Sequence, residues 1–75
     1  MARRISEKLQ AKLDTVPSRT GVYLMRDARG RVIYVGKAVN LRSRVRSYFQ
    51  LSAGHGARTR RLVQDVADLE WIVTD

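Results

Sequence analysis

Two glycine–tyrosine tripeptides constrain this chain more than any other feature: Gly21-Val22-Tyr23 and, beyond a polar turn, Tyr34-Val35-Gly36. Val22 and Leu24 alternate with Tyr23 and Met25, and Ile33 and Val35 alternate with Val32, Tyr34 and Gly36. That period of two belongs to antiparallel strands. The connecting Asp27-Ala28-Arg29-Gly30 suits a turn with glycine at a positive-φ position. A hairpin over about 21–36 follows. Ten residues separate the two tyrosines, so a fold symmetric about Ala28-Arg29 sets Tyr23 directly opposite Tyr34. Directly opposed residues share a face and lie close at Cβ. A bulge at Gly30 would slip that register by one.

The remaining elements are predicted from caps and periodicity. Ser6 can cap a first helix over about 6–14, with Ile5, Leu9, Leu13 and Val16 near one face, and Pro17 ends it. Asn40 is a good cap for a helix over about 41–49, whose apolar arc is Leu41, Val45, Tyr48 and Phe49. Arg44 borders that arc beside Tyr48; Arg42 and Arg46 lie on the other border, and Ser43 and Ser47 face away. Gln50–Gly56 is a loop holding the lone His55. Leu62, Val63 and Val66 mark a third helix over about 57–67, and Leu69, Trp71 and Val73 alternate with Glu70 and Ile72 in a strand over about 69–74. The order α-β-β-α-α-β gives one α+β domain over 1–75, a small antiparallel three-stranded sheet flanked by helices.

Seventy-five residues make one small domain, able to bury only about 60% of its unfolded surface and therefore marginal unless well packed. There is no cysteine, which removes disulfides and thiolate metal sites. No apolar run approaches the roughly 20 residues of a membrane span, and Ala2-Arg3-Arg4 leads into a polar helix pattern rather than a signal peptide. The net charge is +8, and twelve of the fifteen cations are arginine. Such an excess of a planar, phosphate-matching donor points to nucleic acid, with a solvated basic surface or a membrane-surface binder as alternatives.

The two hairpin phenols and two cations converge in this arrangement, with Tyr48 on the helix that follows. Tyr23, Tyr34, Lys37, Arg44 and Tyr48 are the candidate catalytic residues, a patch suited to a phosphodiester. Gly36, Asn40, Arg42 and Arg46 are the candidate DNA contacts, Gly36 because a missing side chain lets a backbone approach closely. A plain cross-strand tyrosine pair, worth about 0.2–1 kcal/mol, is the bland reading of Tyr23 and Tyr34. Asp65, Asp68 and Glu70 look like an acidic cluster but read better as solvated charges. His55 has no Cys, Asp or Glu at ligand spacing.

Gly-Val-Tyr, ten residues, Tyr-Val-Gly-Lys-Ala, then Asn40-Leu41, Arg44 and Tyr48-Phe49 resemble the GIY-YIG nuclease superfamily. Gly36-Lys37-Ala38, the run Leu41 to Phe49 and the late Ile72-Val73-Thr74-Asp75 narrow the resemblance to the N-terminal nuclease domain family of the bacterial UvrC excinucleases. It covers the chain from about Leu9 to Asp75. The resemblance implies a DNA endonuclease making the 3′ incision in nucleotide excision repair, part of the DNA-damage (SOS) response, in the bacterial cytoplasm. Its implied partners are DNA and the damage-bound helicase-like B component of the excinuclease, which other regions would contact, and no membrane.

The resemblance assigns catalysis to Tyr23, Tyr34, Lys37, Arg44 and Tyr48, with Tyr34 as the base toward the attacking water. A free phenol titrates near 10, so nearby cations or a metal-bound water must assist it. The implied cofactor is one divalent cation, Mg²⁺ or Mn²⁺, held by a glutamate on a helix after the third strand. That helix is expected beyond Asp75; none of Glu7, Glu70 or Asp75 matches it, so no metal ligand is expected in this chain. The 75 residues are therefore expected to be the front part of a nuclease domain, inactive alone. Thr20 stands where the family often has proline. Rival readings are a catalytically silent DNA-docking module, a free-standing GIY-YIG nuclease outside repair, and a small RNA-binding protein.

Overall fold

A computed structural model describes residues 6–50 and 56–74. Ile5, His55 and Asp75 lie outside the described residues. The elements are α1 (Glu7–Thr15), β1 (Gly21–Arg26), β2 (Val32–Ala38), α2 (Leu41–Tyr48), α3 (Ala57–Asp65) and β3 (Asp68–Val73). The strands form one antiparallel sheet in the order β2-β1-β3. No described helix is long and apolar enough to cross a membrane.

Both predicted caps form. The Ser6 hydroxyl accepts from the Leu9 amide at 3.2 Å, and the Asn40 side-chain oxygen accepts from the Ser43 amide at 3.0 Å. The segment after α1 serves α2 as well: the Leu41 and Arg42 amides donate to the carbonyls of Arg19 and Pro17. First-turn amides have no partner within their own helix, so these bonds fix where α2 begins and how it sits on the sheet.

The helices pack on one face of the sheet. Tyr23, Met25 and Leu69 from the strands meet Leu9 and Leu13 of α1 and Leu41 and Val45 of α2, with Val16 and Val66 completing the buried core. α3 carries no buried residue; Leu62 only leans on the core. Val22, Leu24, Val35 and Ile72 point to the other face by strand alternation. Val35 is 54% exposed there and Ile72 60%.

The hairpin register differs from the symmetric one. Tyr23 pairs with Gly36, and Tyr34 pairs with Met25. Two local insertions produce this. Gly30 sits at φ +80, the left-handed position that adds one residue to the turn. Asp27 closes the turn, its carboxylate accepting from the Arg29 and Arg31 amides and its backbone amide donating to the Arg31 carbonyl. A second irregularity between Met25 and Arg26 places an extra residue, Ile33, in β2. One slip would turn every β2 side chain to the opposite face; two slips restore the face. Tyr23 and Tyr34 are therefore diagonal neighbours on one face, not directly opposed.

The acidic residues are dispersed. Asp68 pairs with Lys12 at 3.1 Å and Lys8 at 3.6 Å, Glu70 pairs with Arg26, and Asp65 pairs with Arg61 at 3.4 Å. Burial would raise Asp68, but the Leu69 amide bond and Lys12 outweigh it and hold its carboxyl below the ordinary range. Among the described residues no three His, Cys, Asp or Glu side chains come together as a metal site.

Candidate active site

Three tyrosines from three elements meet on the edge of the core. The ring centroids lie 6.0 Å apart for Tyr23–Tyr34, 6.0 Å for Tyr23–Tyr48 and 6.2 Å for Tyr34–Tyr48. Such separations fit favourable tilted aromatic packing. β1 supplies Tyr23 from its helix-covered face, β2 supplies Tyr34 from the outer strand, and α2 brings Tyr48 from its last turn.

The three phenols have different surroundings. Tyr23 is only 2% exposed, and its hydroxyl shares a 2.8 Å hydrogen bond with that of Tyr48. Burial and that bond push the Tyr23 phenol well above its ordinary value. Burial pushes Tyr48 up as well; its bond to Tyr23 and the Arg44 charge pull the other way, and a hydrogen bond with Tyr34 adds to the rise. Tyr34 is 40% exposed. The Tyr48 hydroxyl is therefore shared between buried Tyr23 and Tyr34, the most exposed of the three phenols.

Arg44 precedes Tyr48 by one helical turn, and its charge acts on both Tyr23 and Tyr48. It has no ion-pair partner among the described carboxylates. A shallow groove of about 400 Å³ runs along this side of α2, lined by Ala38, Val39, Asn40, Ser43, Arg44 and Ser47. Ser43 and Ser47 were not expected here. Their helical spacing from Asn40 and Arg44 is the signal that places all four on one side. The Ser47 hydroxyl donates to the Arg44 carbonyl at 2.6 Å.

Several predicted site residues sit elsewhere or are otherwise occupied. Lys37 pairs with Val22, so its side chain leaves the sheet opposite the tyrosines. The Arg42 guanidinium donates to the Asp14 carbonyl and Arg46 to the Asp14 carboxylate, each at 3.4 Å. Both arginines thus tie α2 to the end of α1, and Arg42 Nε is buried. Asn40 uses its side-chain oxygen as the α2 cap. The space over Gly36 is filled by the ring of Tyr23 rather than left open.

Comparison with known proteins joins this arrangement to a family. The profile described as "UvrC-like GIY-YIG domain" matches residues 19–75. This chain belongs to the UvrC-like GIY-YIG family. It is 50% identical over 68 residues to UvrABC system protein C of Prochlorococcus marinus, covering 91% of this chain and 10% of that protein. It is 55% identical over 67 residues to the same protein of Caldicellulosiruptor saccharolyticus, covering 89% and 11%. The chain therefore spans about a tenth of these relatives. Among solved structures it is similar to the GIY-YIG N-terminal endonuclease domain of UvrC from Thermotoga maritima bound to its catalytic divalent cation, magnesium. That likeness has a TM-score of 0.77 and 32% identity, over 95% of this chain and 75% of the other. A tyrosine-to-phenylalanine variant of that domain, also bound to the cation, matches with the same TM-score and 31% identity.

The described residues do not by themselves make a site for such a cation. The Arg44 charge acts on the phenols, the carboxylates of Asp14, Asp27, Asp65, Asp68 and Glu70 are engaged in ion pairs, and Glu7 lies in the first turn of α1. Phenols and a guanidinium are poor partners for a hard divalent ion, which takes carboxylate and carbonyl oxygen.

Proposed function

We propose that this chain is the nuclease portion of a UvrC-type protein that hydrolyses a DNA phosphodiester for the 3′ incision of nucleotide excision repair. The observation that carries this reading is the division among the phenols. Tyr23 is buried and bonded to Tyr48, the Arg44 charge acts on both, and Tyr34, joined to the same Tyr48 hydroxyl, is the exposed member of the three. In this reading Tyr34 orients the attacking water and takes its proton, and Tyr48, held by Tyr23, fixes the Tyr34 ring. Arg44 faces the phosphate, whose transition state carries extra negative charge that a fixed cation stabilises. Asn40, Ser43 and Ser47 line the path of the flanking backbone. The parent protein would work in the bacterial cytoplasm, brought to its site by the damage-bound helicase-like component of the excinuclease.

A second reading applies to these 75 residues alone: a module that docks on DNA without cutting it. The lack of a carboxylate beside the phenols among the described residues favours it.

In the full-length parent, Arg44→Ala should lower the single-turnover nicking rate about 10²–10³-fold. The affinity for duplex DNA should change little by comparison. An Arg44→Ala protein with a normal bound rate and only weakened binding would remove Arg44 from the chemistry.

A further inference from the structure

Glycine inside a strand weakens it unless something must come close. Gly36 is not there for backbone freedom, because Gly30 is the only positive-φ glycine among the described residues. The reason lies across the hairpin. A Cβ added to Gly36 would fall on the Tyr23 hydroxyl and stand 2.5 Å from Cζ and 2.9 Å from Cε1 of that ring. Tyr23 is the residue that pairs with Gly36 on β1. Its ring lies over the glycine, the way an aromatic covers a cross-strand glycine, and its hydroxyl continues to Tyr48.

The ring has nowhere to retreat. It is 2% exposed and belongs to the buried core with Met25, Leu41 and Val45. Restoring ordinary carbon contact of about 3.5–4 Å requires the phenol to move by about 1 Å. That displacement breaks the 2.8 Å bond to Tyr48 and shifts the ring that packs on Tyr34. We propose that Gly36 is a positioning residue: its missing side chain is the slot that holds the Tyr23 hydroxyl on Tyr48 and, through both rings, sets Tyr34. The inference rests on the phenol–Arg44 site proposed above. It replaces close approach of DNA as the reason for this glycine. Gly21 makes an instructive contrast. A Cβ there would meet the Ile72 carbonyl and, at 2.9 Å, Leu41 Cδ1, so its obstacle is mainly backbone.

The test uses the full-length parent as wild type, Gly36→Ala, Tyr23→Leu and the double variant, measuring Tm, kcat and KM for nicking. Gly36→Ala should lower Tm and reduce kcat about 10–100-fold, as a displacement of about 1 Å can do, with KM within about twofold. In the Tyr23→Leu background, where the slot is empty, Gly36→Ala should cost almost no Tm and no further kcat. That comparison still decides the matter if Gly36→Ala alone does not fold. Gly21→Ala should remain destabilising in the same background. Equal Tm penalties from Gly36→Ala in the wild-type and Tyr23→Leu backgrounds would overturn the proposal, as would a raised KM at unchanged kcat. The Tm cycle needs no activity, so a wild-type parent that fails to nick DNA would refute the functional reading separately.

Discussion

Replacing Tyr23 by phenylalanine removes one oxygen and keeps the ring, so its effect isolates the hydroxyl. At neutral pH the variant loses the 2.8 Å bond to Tyr48, a neutral pair worth about 0.5–1.5 kcal/mol. Above pH 9 a second effect opposes the first. The native Tyr23 phenol is held well above its ordinary value by burial first and the Tyr48 bond second, whereas the unfolded chain ionises near 10. A raised native value contributes stability that is complete below about pH 10 and is lost as pH rises toward the native value. At about pH 11 the unfolded wild type has gained about 1.4 kcal/mol from this one phenol. Phenylalanine has no proton to lose. The deficit of about 1 kcal/mol at pH 7 should therefore vanish or invert near pH 11. Urea unfolding followed by circular dichroism at pH 7, 9, 10, 10.5 and 11 and constant ionic strength measures it. The two proteins differ in this one oxygen, so the difference reports the Tyr23 hydroxyl together with its bond to Tyr48. A penalty that stays constant from pH 7 to 11 would mean Tyr23 ionises as freely in the native chain as in the unfolded one, and would refute its burial.

Arg42→Ala should behave as a packing variant, because the side chain joins α2 to Asp14 with its Nε buried. A loss of about 1–2 kcal/mol in denaturant unfolding is expected, and a fall in DNA affinity without that loss would return Arg42 to the DNA surface. Among the described residues Arg29, Lys37, Arg44, Arg58 and Arg60 show no ion pair to a described carboxylate and are available to phosphate. If about four to five of them engage, the logarithm of the binding constant should fall against the logarithm of salt with a slope near −4. Fluorescence anisotropy with an unrelated-sequence duplex measures this, and a flat salt response would contradict phosphate contact.

The elements and the sharing of a face by the tyrosines were legible in the sequence, because period-two alternation survives any even slip. The register was not. Gly30 and the extra residue Ile33 each shift the pairing by one, and spacing alone carries no sign of the second. Lys37 shows the cost of reading proximity along the chain as proximity in space. It adjoins Gly36, yet alternation turns it to the opposite face. Helical periodicity correctly separated Arg44 from Arg42 and Arg46. It could not show Asp14, which lies on another helix and takes both arginines out of the predicted DNA surface. The reason for Gly36 was equally hidden, since a missing side chain reveals nothing about which neighbour fills its place.

The assignment of Tyr34 as the outward, proton-accepting phenol is tested most directly by the pH dependence of single-turnover nicking in the full-length parent. Wild type and Tyr34→Phe are compared at saturating protein with magnesium present. General base catalysis contributes about 10²–10⁴-fold, so Tyr34→Phe should be slower by that order. The wild-type rate is expected to rise with pH on the alkaline side, and the variant should lack that rise. A Tyr34→Phe protein with the wild-type rate and the wild-type pH profile would contradict the account.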